Sequence, residues 1–333
     1  MSHPATKRVS YWGQLGILMA FTGVGLIVGG FVSLLPVMSK IDISSLRGLS
    51  NKELMNKLMV PENSNALRWM QFLSTLFLFF IPAFIYSAIC HTKPLTHLGY
   101  KKAVSFQQVL IVIIIMFFAL PLSASLSQAT ELLPFPPSVM EKFKAAEADY
   151  LKQITAIGRM ENTADFLISL FMLAILPAVF EETFFRGGVQ NLLARWWKTP
   201  VLAIIVTSII FSIVHGSYLG FLSRAALGFI LGWMYYRTGN LWLSIIGHVT
   251  NNAVALTVFY FSKGKNPEQD IHLPIYVGLA SIAILYGLFI VFEKVSSYQV
   301  DRPGEETAMA VKNKLPDWVK IAEEKTNNQA NGF

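Results

Sequence analysis

Apolar residues in this chain come in long blocks separated by polar stretches. The first block runs from about Gly13 to Met38, and others follow at about 66–90, 105–127, 164–186, 200–215, 225–237, 241–261 and 274–292. A helix needs about 20 apolar residues to cross a bilayer unaided. The pattern therefore predicts an all-α, polytopic transmembrane bundle of about eight helices, some too short to span alone. The first block is too long for a signal-peptide core and lacks a small-x-small cleavage site, so it predicts a retained span. No internal repeat is visible. Two connections are long: residues 39–65 hold Ser50 and Glu53, and residues 128–163 hold Ser138 and Glu141. Each pair has capping-box spacing and predicts a short amphipathic helix. Loops of this length tend to serve function, and these could lie over a cavity and screen what enters. Residues 1–294 thus read as one transmembrane domain, and the polar stretch 295–333 as a flexible tail.

Composition agrees with this picture. Apolar residues make up 53% of the 333 and charged residues only 14%, and the mean hydropathy is +0.49. A soluble chain would carry roughly twice that charged fraction. The net charge of +7 and the pI near 9.3 suit loops facing an anionic leaflet. The partner so implied is the lipid bilayer, and no nucleic acid is needed to explain the charge. Cys90 is the single cysteine, which excludes an intramolecular disulfide and a thiolate metal cluster.

Polar residues inside the blocks carry the candidate chemistry. Glu181 and Glu182 end one apolar run, where a charged group costs roughly 2.5–3.5 kcal/mol near the bilayer centre. Arg186 follows Glu182 by four residues, a spacing that suits a helical ion pair. Glu181 is turned about 100° away and is left to face elsewhere. The bland alternative is a helix end at the headgroups with both acids solvated. His215 ends a second run with Phe211 four residues before it, and His248 and Asn252 share one face of a third. A turn at Lys198 would put Glu181 and His215, each 17 residues away, at one level about 25 Å along their helices. A second turn at Gly239 brings His248 and Asn252 to about 14 and 20 Å. These levels converge if Gly216–Arg224 is a loop or re-entrant segment. Pro177, four residues before Glu181, removes one backbone bond and should kink the helix there. The expectation is a conical polar cavity inside the membrane, lined from three helices.

A carboxylate and a histidine holding one water make a general-base arrangement, and a histidine with an asparagine amide can meet a developing oxyanion. No HExxH helix and no GxSxG elbow is present. Glu181, His215 and His248 could instead ligate zinc with water in the fourth position. The adjacent amide and the Glu–Arg pair favour the metal-free reading.

Three motifs then stand in register: EETFFR (181–186) as EExxxR, FSIVH (211–215) as FxxxH and HVTNN (248–252) as HxxxN. Their order, spacing and the FILGWMYYRTGNLW lead-in resemble the CPBP family, which comprises CAAX prenyl endopeptidases and bacterial Abi-type, bacteriocin-associated membrane proteases. The resemblance covers about residues 163–260. It implies an intramembrane endopeptidase in the cell membrane acting on membrane-embedded or lipidated peptides, prenylated ones among them. It also implies that Glu181 and His215 activate water, that His248 and Asn252 stabilise the oxyanion, and that Glu182, Arg186 and Phe211 shape the site. No cofactor is implied, with zinc the alternative for a family long described as metalloproteases. A non-proteolytic regulator or bacteriocin-immunity protein could use the same cavity for binding. A proton-coupled transporter would want inverted repeats or matched broken helices, and the sequence shows neither.

Overall fold

The computed structural model describes residues 9–38, 48, 50, 53, 57–100, 104–262 and 273–298. The tail expected at 295–333 falls outside this range beyond Tyr298. All eight apolar blocks are helical. They form α1 (Tyr11–Met38), α2 (Ser64–Cys90), α3 (Phe106–Glu131), α5 (Thr163–Trp197), α6 (Pro200–Val214), α7 (Phe221–Thr238), α8 (Leu241–Phe261) and α9 (Ile275–Tyr298). Helix α4 (Pro137–Ile157) fills the second long connection. Six of these, α1, α2, α3, α5, α8 and α9, are long and apolar enough to cross a membrane, whereas α6 is short. The chain is a multi-pass membrane protein.

Two helix boundaries differ from expectation. The block expected to end at 186 continues as one helix to Trp197, because the charge that seemed to end it is buried and paired. The block expected from 225 begins at Phe221, so Arg224 lies in the first turn of α7 rather than in the preceding loop. Both expected turns are present: Lys198 and Gly239 take the left-handed conformation at the ends of α5 and α7. The cap expected at Ser50 is made, its amide bonding Glu53 Oε2 at 2.8 Å. The one expected at Ser138 is not. Pro137 stands at the first position of α4 with its φ already helical, so Ser138 falls inside the first turn and cannot cap it.

Packing follows from where small residues allow approach. Gly25 and Gly29 of α1 lie against Phe77 in α2, where α2 widens into a π-helical stretch, Leu76–Phe80, just before Pro82. Leu18, Phe79, Ala83, Phe180, Phe184, Phe185 and Phe211 join α1, α2, α5 and α6 in one core. A second core packs α3 against α7, α8 and α9 through Val112, Ile115, Leu231, Leu243 and Phe292. The motif helices α5 to α8 thus sit between α1–α2 on one side and α3–α9 on the other. Outward faces carry Phe31, Leu35, Phe117, Leu167, Ile213 and Leu279, all exposed, as expected of surfaces that meet lipid rather than water.

Candidate active site

Helix α5 is distorted on both sides of the paired acids. Pro177 has no amide to bond Leu173, and the helix accommodates this with a π-helical stretch, Leu170–Ile175, immediately before it. A regular turn, Leu176–Glu182, carries the acids. A second π-helical stretch, Thr183–Gln190, begins right after them, a feature frequent at functional sites. In that stretch Gly187 lies so close to Leu98 that a Cβ would be 2.8 Å from the Leu98 carbonyl.

Glu182 is fully buried and is the hub of the cluster. Its Oε1 accepts from Arg186 Nη1 at 2.7 Å and from His248 Nδ1 at 2.9 Å. Arg186 Nη2 donates onward to the Gly228 carbonyl at 2.9 Å, and its guanidinium lies 4.9 Å from the Phe211 ring centroid. One carboxylate therefore ties α5 to α8 directly and to α7 through the arginine. A buried ion pair of this kind holds only if its remaining donors are also answered, and the Gly228 carbonyl supplies one of those bonds.

Glu181, one residue earlier, faces the other way. Its Oε2 lies 3.7 Å from His215 Nε2 and 3.9 Å from His248 Nε2, and it is buried without a hydrogen-bond partner. Both histidines are aimed by their other nitrogen. His215 Nδ1 bonds the Phe211 carbonyl at 2.7 Å. A carbonyl only accepts, so Nδ1 carries the proton and neutral His215 turns a lone pair on Nε2 toward Glu181. Phe211 lies between the two imidazoles, 4.4 Å from the His215 ring and 5.8 Å from that of His248.

The structure thus brings together Glu181, Glu182, Arg186, Phe211, His215 and His248. Asn252 is not joined to them. It stands one turn beyond His248 on α8, and its Oδ1 accepts from Asn251 Nδ2 at 3.4 Å. The segment after His215 departs from the helix as expected, with Gly216 at φ +69°, and α4 lies over it. Ser217 Oγ donates to Glu147 Oε2 at 2.7 Å, and the Phe143 and Tyr218 rings stack at 4.6 Å. Sequence reasoning did not find Phe143 and Glu147. Their four-residue spacing on one face of α4 was visible, but their partner was not. The Gly228 carbonyl was likewise missed, since nothing in a glycine's identity marks its oxygen as an acceptor.

A tetrahedral zinc site would hold its donors about 3.4 Å apart, the edge set by bonds of ~2.1 Å. The Glu181–histidine separations of 3.7 and 3.9 Å are wider. Among the described residues, no group of three His, Cys, Asp or Glu side chains is placed to hold a metal ion. The residues present do not fit the metal, and no step is derived through one.

Residues 163–254 match the family model described as type II CAAX prenyl endopeptidase, Rce1-like. The motif core belongs to that family. The Rce1-like segment includes every residue of the cluster. Among curated relatives, the "Uncharacterized protein YpbD" of Bacillus subtilis (strain 168) is 31% identical over 108 residues, covering 31% of this chain and 52% of that protein. An "Uncharacterized 24.3 kDa protein" of Escherichia coli is 31% identical over 107 residues, 31% of this chain and 49% of its own. A third, named "Putative membrane peptidase YdiL", from Bacillus subtilis (strain 168), is 31% identical over 108 residues, 30% of this chain and 43% of its own. The chain spans about half the length of the curated relatives it matches. No solved structure matches the chain.

Proposed function

We propose that this chain is an intramembrane endopeptidase that hydrolyses peptide bonds of membrane-associated, lipidated substrates with water activated by Glu181 and His215. The observation that carries the reading is the buried, unpartnered Glu181 Oε2 facing the Nε2 atoms of two histidines. The Rce1-like match over the same residues supports it. A water between Glu181 and His215 gives one proton to the carboxylate and directs its oxygen at the substrate carbonyl carbon. The carbonyl oxygen gains the negative charge, and His248 receives it. Since His248 Nδ1 is committed to Glu182, its Nε2 can donate only in the doubly protonated form. In that form the two carboxylates are balanced by Arg186 and the imidazolium. Collapse of the tetrahedral intermediate breaks the C–N bond, and the proton held by Glu181 passes to the leaving amine. Asn252 serves as a second oxyanion donor once substrate draws the two groups together.

Glu181→Gln keeps volume and hydrogen bonding but removes the base. The variant should insert and melt normally while turnover of a fluorogenic lipidated peptide falls by about 10²–10⁴-fold. The parent protein stripped with a strong chelator should retain its turnover. Activity that vanishes on stripping and returns with one equivalent of zinc would overturn the metal-free mechanism.

A further inference from the structure

Six arginines fall among the described residues, and five have their guanidinium groups answered. Arg186 pairs with Glu182, Arg237 with Glu293, and Arg159 with Glu161. Arg68 donates to the Ile157 carbonyl and Asn65, and Arg195 to Asn191, Gln14 and Tyr86. Arg224 differs. Its Nη1 is buried with no hydrogen-bond partner, and its guanidinium lies 5.1 Å from the Tyr150 ring centroid of α4. The side chain folds back over Gly220, so close that a Cβ there would overlap Nη1 and also press on Ser217 Oγ. That position is the loop directly after His215, near enough for its charge to act on the imidazole. The acid of α4 on this side, Glu147, is bonded to Ser217 Oγ instead.

A guanidinium desolvated on one edge and left unanswered is costly. Its planar fork matches a carboxylate with two parallel bonds. We propose that Arg224, laid over Tyr150 beside the Gly216–Gly220 loop, receives the C-terminal carboxylate of the peptide substrate and so positions the bond to be cut at Glu181. The assignment rests on the endopeptidase reading above and adds to it a requirement for a free carboxylate. A lipid phosphate would approach from the exposed surface, whereas the unanswered Nη1 is the buried edge.

The test separates binding from turnover. The Glu181→Gln protein, in nanodiscs of neutral lipid, is titrated with a fluorescein-labelled S-farnesyl peptide carrying either a free C-terminal carboxylate or its amide. The acid should bind about tenfold more tightly or better, the worth of one charge-assisted bond. Adding Arg224→Gln should bring the two ligands to within about twofold while leaving the amide's Kd unchanged, and Arg224→Lys should restore part of the preference. A structural role would weaken both ligands alike and lower the melting temperature. Acid and amide binding equally, or neither binding, overturns the assignment, as does an Arg224 effect confined to nanodiscs of anionic lipid. A parent chain that discriminates acid from amide without ever cleaving either overturns the endopeptidase reading and leaves the assignment standing.

Discussion

At the scale of single residues, the two adjacent glutamates should fail in different ways. Glu181 contacts only the histidines, so its loss is catalytic. Glu182 carries two loads, Arg186 and His248, on one oxygen. Glu182→Gln leaves the guanidinium without its counter-charge in a buried site, a loss of roughly 3–5 kcal/mol, a large share of the stability of most folds. Yield and melting temperature should drop, and turnover should drop with them because His248 loses its orienting acceptor. Combining Glu182→Gln with Arg186→Met removes the orphaned cation and should recover thermal stability but not turnover. Recovery of both would show that Glu182 serves the arginine alone and that His248 is held by something else. The Glu182–Arg186 pair was legible in the sequence, because four residues on a helix fix a distance. The Glu182–His248 bond was not. It spans 66 positions, and only the packing of α5 against α8 creates it.

At the scale of elements, helices that pack in lipid gain nothing from the hydrophobic effect between them and rely on close approach. Gly25 and Gly29 of α1 show this. A Cβ at Gly25 would overlap the Phe77 carbonyl oxygen, whereas one at Gly23 meets open space. Gly25→Ala should therefore push α1 away from the π-helical stretch of α2 and cost about 1–3 kcal/mol, the usual range for overpacking. Gly23→Ala should melt like the parent, and equal melting of both variants would mean that α1 does not dock as described. The apolar blocks and Pro177 gave the helices and one distortion directly, since both act locally. The far end of α5 was misjudged because a charged residue at 186 reads as the edge of a span when its partner's burial is unknown. The start of α4 was misjudged because Pro137, not Ser138, sets where helical φ begins.

At the scale of the whole molecule, the end of the bundle away from the Gly216–Gly220 loop is fastened by a second polar network. Arg195, at the end of α5, donates to Asn191 on its own helix, to Gln14 of α1 and to Tyr86 of α2 at 2.9, 3.1 and 3.1 Å. His97, in the connection between α2 and α3, sits 3.5 Å from the same guanidinium and stacks on His91. The one sequence signal for this network was Gln14, an amide inside an apolar block, and its partners lie too far along the chain to be guessed. Burial, and after it the charges of Arg195 and His91, hold His97 well below its ordinary pKa of 6.5. The fold therefore keeps His97 neutral at pH values where the unfolded chain protonates it. In that window the unfolded state binds more protons, so stability rises with pH. The contribution is complete above pH 6.5 and is lost as the pH falls from there toward the depressed native value. Melting temperature should thus be level at mildly alkaline pH and decline on acidification through pH 6.5. His97→Gln, which keeps an acceptor for Arg195 but cannot titrate, should decline less steeply over the same range. Because Glu181, Glu182, His215 and His248 are common to both proteins, the difference between the two curves isolates His97, and parallel curves would show that this connection does not couple the bundle's stability to pH.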